Sequence, residues 1–268
     1  MAQAIVLPLI QKGELLPEEI FAVVGQSATV KNQMKQLPSE ISLLASNDHA
    51  ASKVWSIPTQ LLAVKPQQLE VVVKASKVAT KIFPTDQKQV SKPLLVSLMA
   101  GVSLKRLQTS FPDHICVRAV PNTPALVGAG VTGISWGDDV NNEIRNSVKR
   151  LFLPISEVVE LPESQLDAFL ALTSSGPAYV ALMAEALADG AVAAGLPRKL
   201  AHYLAHRTLA GTALLLKEKE LHPGKLKDMV ASPGGTTITA LRHLEKAGVR
   251  SALIEAVVAA ADRSREMA

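Results

Sequence analysis

Cysteine is nearly absent from this chain: Cys116 is the one thiol in 268 residues. That count excludes an internal disulfide framework and a cysteine-based metal cage, and it fits a reducing compartment. Aromatic residues make up 3%, with two Trp and two Tyr, too few for a base-stacking nucleic-acid platform. There is no HExxH sequence, and no Cys/His cluster has metal spacing. His202 and His206 stand four apart on an expected helix, without a third ligand near them in sequence, so no metal is expected. Ser174-Ser175-Gly176-Pro177 has no evident His partner, which sets a serine nucleophile there aside. Lys and Arg form no dense block, so the net charge of +4 suits small anionic ligands better than a nucleic-acid backbone. No positive segment precedes the apolar residues 1–10. The Ala/Leu-rich residues 169–196 are broken by Gly176, Pro177, Glu185 and Asp189. A membrane span is therefore not expected, and a cytoplasmic location is.

Apolar residues reach 48%, enough to bury a sizeable core in one or two domains. Ala2, Ile5, Val6, Leu9 and Ile10 follow helical spacing up to Gly13, with Pro8 awkwardly inside. Short apolar runs follow at 20–24, 41–44, 59–64, 93–99 and 115–120. Helix-compatible stretches lie between them at 27–36, 48–55, 67–80 and 104–109. This alternation predicts a parallel sheet covered on both faces. Residues 130–137 and 155–160 read as further strands, and 138–152 as a helix capped by Asp138. Beyond Pro162 the texture is helical throughout, punctuated by Pro177, Pro197, Pro223 and Pro233 at helix starts. The domains expected are 1–162, α/β, and 163–268, all-α. The apolar faces of the second half predict burial against another copy of the chain.

Three segments carry chemistry. Ser232-Pro233-Gly234-Gly235-Thr236-Thr237 precedes a helical run, so its backbone N–H groups are unpaired and approachable, and the turn can cradle a carboxylate. Lys65-Pro66 follows the run 59–64, at the carboxyl edge of a parallel sheet, where ligands bind. Pro121-Asn122-Thr123-Pro124 follows 115–120 in the same way, and its prolines stiffen a loop that can hold Asn122 and Thr123 toward a ligand.

Together these segments resemble the pyrroline-5-carboxylate reductase family. The signature is strongest in Leu-Thr-Ser-Ser-Gly-Pro-Ala-Tyr at 172–179, Glu-Ala-Leu-Ala-Asp-Gly at 185–190, Gly-Leu-Pro-Arg at 195–198 and His-Pro-Gly-Lys-Leu-Lys-Asp at 222–228, leading into 232–237. The resemblance implies a Rossmann-like dinucleotide-binding domain followed by a helical dimerisation and substrate domain. It implies hydride transfer from NADPH, or NADH, to a cyclic imine, giving L-proline in a homodimer or larger homo-oligomer. In that reading Thr237 is the catalytic hydroxyl beside the ring nitrogen. Glu220, Gly235, Thr236, Thr237 and Ser175 bind substrate, with Glu220 drawn from the same or the partner subunit. Ser27, Lys65, Pro66, Ala100, Gly101, Asn122 and Thr123 bind the cofactor. A β-hydroxyacid dehydrogenase-like reductase and a non-catalytic dimeric paralogue are the alternatives.

Two departures bear on the cofactor. The family places a first strand and a Gly-rich turn ahead of its first helix, whereas residues 1–4 already read as that helix, with no Gly-x-Gly turn ahead of it. The expectation is a truncated start, or alternatively a paralogue without ordinary dinucleotide binding, and in either case weak NADPH binding by the chain as written. The end of the run 20–24 carries no acidic residue for a ribose hydroxyl. Ser27, Thr29 and Lys31 stand there instead, as partners for a 2′-phosphate, which favours NADPH.

Overall fold

The computed structural model describes residues 2–25, 37–82, 92–137 and 140–267. Two compact units form: Met1–Ser174 with Ala261–Ala268, and Ser175–Ala260.

The first unit opens with α1 (Ala2–Gln11), whose apolar spacing buries Ile5 and Leu9. Gly13 ends it at φ +72°, with Glu14 N–H on the Leu9 carbonyl and Gly13 N–H on that of Ile10. This paired closure satisfies carbonyls the helix leaves open. Strands β1 (Phe21–Val24) and β2 (Ser42–Ala45) pair in parallel as a separate ribbon. A 3-10 helix, His49–Ser56, follows in place of the expected α-helix, with Asp48 Oδ1 accepting from Ala50 N–H.

Five strands make the main sheet in chain order: β3 (Thr59–Leu62), β4 (Leu94–Ser97), β5 (Ile115–Val120), β6 (Gly130–Trp136) and β7 (Ser156–Glu160). The pairs are parallel except β5–β6, which is antiparallel. The sheet is parallel as expected except at that one pair. Only residues 121–129 link β5 to β6, and a parallel return needs a crossover of about a dozen residues or more. Side chains alternate between the two faces of the sheet. Val96, Val117, Ala119 and Ile134 share one core with Ile5, Leu9 and Phe152 of α4 (Asn142–Phe152). Leu95 and Cys116 share the other with α2 (Leu69–Ile82) and α3 (Leu104–Ser110), through Leu69, Leu107 and Phe111. Each such Leu or Phe removed from water contributes about 1.5–3 kcal/mol. Asn141, not Asp138, caps α4, its Oδ1 accepting from Ile144 N–H; Asp138 lies outside the described residues.

Helix α5 (Leu166–Thr173) belongs to this unit: Phe169 lies so close to β6 that a Cβ on Gly133 would sit 2.7 Å from its ring. The compact division at Ser174/Ser175 therefore falls later in the chain than the end of the sheet at 160.

The second unit holds α6 (Gly176–Ala193), α7 (Arg198–Glu218), α8 (Pro223–Val230), α9 (Thr236–Lys246) and most of α10 (Val249–Glu266). Prolines 177, 197 and 223 stand at the starts of α6, α7 and α8, where a missing N–H costs nothing. Ala188, Ala201 and Ala205 form the α6–α7 seam, so that pair packs through small side chains. Its larger apolar groups are left outside: Leu182 is 68% exposed, and Leu187, Tyr203, Leu214 and Ile254 are exposed too. The helical residues Glu163–Ala193 are long and apolar enough to cross a membrane by length and composition, with mean hydropathy 1.2.

Candidate active site

The strand register sets three loops side by side. Leu62 aligns with Ser97, and Ser97 with Arg118. Three residues further on, Lys65, Ala100 and Pro121 leave the carboxyl ends of adjacent parallel strands at one level. Lys65 is exposed and precedes the 3-10 turn Pro66–Gln68, with Pro66 at its first position. Ala100 is small and half-buried; Gly101 is buried with φ +69°, a conformation open to glycine at little cost. Thr123 is exposed at the start of the 3-10 helix Thr123–Val127. The edge thus offers an ammonium, a hydroxyl and a close-packed backbone turn, a donor set suited to phosphate and ribose.

Asn122 does something other than the sequence suggests. It is 6% exposed. Its Oδ1 accepts from Val131 N–H at 2.9 Å and its Nδ2 donates to the Thr173 carbonyl at 3.0 Å. The amide braces the loop against β6 and α5. Ser27 lies outside the described residues, as do Thr29 and Lys31.

In the helical unit, Gly235 N–H donates to the Ser232 carbonyl at 3.0 Å, closing a four-residue turn. Pro233 sits at its second position and Gly234, at φ +67°, in its third, the pattern of a type II turn. Gly235 then serves as N-cap of α9 without a side-chain cap. The next backbone acceptor used is the Gly235 carbonyl, reached by Thr239 N–H. The N–H groups of Thr236, Thr237 and Ile238, the first three helical residues, have no acceptor in the helix. They point with the positive end of the helix dipole, which favours an anion. Thr237 is half-buried beside them and Thr236 is exposed.

Glu220 terminates α7. Its N–H reaches the Lys217 carbonyl and Leu221 N–H that of Leu216, the closure that glycine usually completes. Glu220 does so at φ +48°, the one non-glycine positive φ among the described residues. Its side chain is exposed. Ser175 is half-buried just before α6, its carbonyl accepting from Ala178 N–H. Among the described residues no hydrogen bond or ion pair joins Glu220 or Ser175 to the 235–237 turn.

Sequence reasoning missed a charged pair under the sheet edge. Arg118 Nη1 donates to Glu163 Oε1 at 2.7 Å. The available signal was an arginine inside the otherwise apolar run 115–120. At the opposite edge of the sheet, His114 and Cys116 line a groove with Lys92 and Gln108. His114 packs against the rings of Trp55 and Phe111, with both ring nitrogens buried and unpartnered. Burial lowers its pKa, and burial pushes the Cys116 thiol up to about 12.

The family described as pyrroline-5-carboxylate reductase dimerisation matches residues 163–267. A pyrroline-5-carboxylate reductase of Synechocystis is 46% identical over 267 residues, covering 100% of this chain and 94% of the relative. That of Escherichia coli is 35% identical over 269 residues, covering 100% and 94%. Among solved structures, the Plasmodium falciparum pyrroline carboxylate reductase with NADP bound superposes with a TM-score of 0.84 at 26% identity, over 99% of this chain and 93% of that one. A Coxiella burnetii pyrroline-5-carboxylate reductase gives 0.80 at 29% identity, over 100% and 94%.

Proposed function

The chain belongs to the pyrroline-5-carboxylate reductase family, and from that premise we propose how its residues divide the work. The protein is an NAD(P)H-dependent oxidoreductase that reduces the C=N bond of 1-pyrroline-5-carboxylate to give L-proline, the last step of proline biosynthesis. It works as a homo-oligomer, a dimer or larger. We place it in the cytoplasm, without a membrane or nucleic-acid partner.

Residues 1–162 form the cofactor domain and 163–268 the dimerisation and substrate domain. Lys65, Pro66, Ala100, Gly101 and Thr123 hold the dinucleotide along the carboxyl edge of β3, β4 and β5. Asn122 supports them from beneath, and Ser27 meets the ribose phosphate. The residues present fit such a group: Gly101 lets the backbone come close, and Lys65 brings a cation. When bound, NADPH supplies a hydride to C5 of the imine.

The substrate carboxylate rests at the Gly235–Thr237 turn, on the free N–H groups of Thr236 and Thr237. The Thr237 hydroxyl donates to the ring nitrogen, which must gain a proton as C5 gains hydride. Glu220 and Ser175 complete the substrate pocket. These groups act by orientation and electrostatics. The observation that supports this reading is the 232–235 turn, after which the N–H groups of Thr236, Thr237 and Ile238 begin α9 without helical acceptors. Its test is Thr237→Ala, expected to fold normally and to lose roughly 10- to 1,000-fold in kcat/KM. An unchanged rate removes Thr237 from the site.

A further inference from the structure

One row of side chains crosses the sheet beneath the proposed cofactor edge. Ser97, Arg118 and Ser135 are register partners on β4, β5 and β6, and all three are buried. Each fastens a loop. Ser97 Oγ accepts from Met99 N–H at 3.3 Å, at the start of the 98–103 loop. Ser135 Oγ donates to the Leu161 carbonyl at 2.6 Å. Arg118, 5% exposed, holds Glu163. The same Glu163 Oε1 accepts from Leu104 N–H at 2.6 Å. Leu104 begins α3, and Ser103 Oγ caps Arg106 N–H one turn on. The loop that carries Ala100 and Gly101 is therefore tied at both ends, and its far end is tied by a carboxylate from 59 residues downstream.

Stability is a poor account of this pair. Arg118 keeps its Nε buried without a partner. Buried ion pairs of this kind can often be replaced by apolar side chains of similar volume at no cost, or with a gain. What such a replacement would remove is the charged acceptor at the head of α3, directly after the Gly101 turn. A carboxylate there also faces the positive end of a helix.

We propose that Glu163, held by Arg118, is a positioning residue that fixes the 100–101 turn for the dinucleotide and so sets cofactor affinity. This rests on the assignment of that edge to the cofactor. The pair touches neither substrate nor reacting atoms. Its effect should therefore appear in NADPH binding and leave turnover at saturation alone.

The experiment compares three variants of the whole protein by NADPH fluorescence titration, thermal melting and a kcat-against-KM split. Arg118→Met/Glu163→Leu replaces the pair by apolar groups. It should melt within a few degrees of the parent and keep kcat within twofold, yet bind NADPH about tenfold more weakly, the worth of one lost charged hydrogen bond. Glu163→Gln keeps an acceptor for Leu104 N–H and should hold the parental Kd within twofold, even if its melting point drops through the uncompensated arginine. Ala100→Asp adds a negative charge at the edge itself and should abolish NADPH binding. Parental affinity in the double variant overturns the proposal, as does a Glu163→Gln loss equal to that of the double variant. Parental affinity in Ala100→Asp overturns the cofactor assignment beneath it, and so separates the two failures.

Discussion

Gly235→Ala tests the proposed substrate cradle at its tightest point. The backbone of Gly235, at φ −78° and ψ 175°, suits any residue, so a loss would come from contact alone. An added Cβ would overlap Ser232 Oγ and lie 3.1 Å from the Ser232 carbonyl oxygen. The hydroxyl can rotate away, because Ser232 is exposed. The carbonyl cannot move freely, because it accepts the Gly235 N–H that closes the turn. Relief therefore shifts the turn by a few tenths of an ångström and re-aims the N–H groups of Thr236 and Thr237. Overpacking of this kind costs at most about 1–3 kcal/mol. Misplacing a catalytic array by 1 Å costs about 100-fold, so this smaller shift should cost roughly tenfold in kcat/KM. The assay is NADPH oxidation with 1-pyrroline-5-carboxylate, run beside thermal melting, for Gly235→Ala, Ser232→Ala and the double variant. Removing the Ser232 hydroxyl relieves one of the two contacts, so the double variant should recover part of the loss. A Gly235→Ala enzyme within twofold of the parent, or a double variant no better than the single, refutes the reasoning.

Cys116 should resist thiol reagents at pH 8 in the folded protein and react, as one thiol per chain, once urea unfolds it. Its folded pKa of about 12 exceeds the unfolded value near 8.5, so its share of stability is complete below pH 8.5 and is lost as pH rises through that window. His114 carries the opposite dependence. Its folded pKa lies below the ordinary value of about 6.5, so the fold favours the neutral ring, and stability falls as pH drops from about 6.5 through the folded value. Melting curves across that range should flatten in His114→Phe, and an unchanged slope sinks the assignment. Gly133→Ala places a Cβ 2.7 Å from the Phe169 ring and should cost about 1–3 kcal/mol, several degrees of Tm, part of which Phe169→Leu should restore.

Strands β4 and β5 were legible because both of their faces are buried, which leaves largely apolar runs. The direction of β6 was not carried by that pattern; the short link at 121–129 decides it. The 232–235 turn was legible because Pro and Gly each answer a backbone requirement within four residues. The bracing bonds of Asn122 were not legible, for the reverse reason. A loop asparagine between prolines reads equally as a ligand donor or an internal brace, and the deciding partner, Thr173, is 51 residues away. Arg118 and Glu163 are 45 residues apart, and their meeting needs the sheet order as well as the strands.

Glu220 closes α7 in a backbone conformation that glycine adopts freely and that costs other residues about 1–3 kcal/mol. A programme of thermostabilisation by helix-end optimisation would choose Glu220→Gly first, and a melting screen would reward it. The same change deletes a carboxylate proposed for the substrate. Selection for robustness and selection for turnover therefore pull this one position in opposite directions, and the glutamate marks which of the two has prevailed.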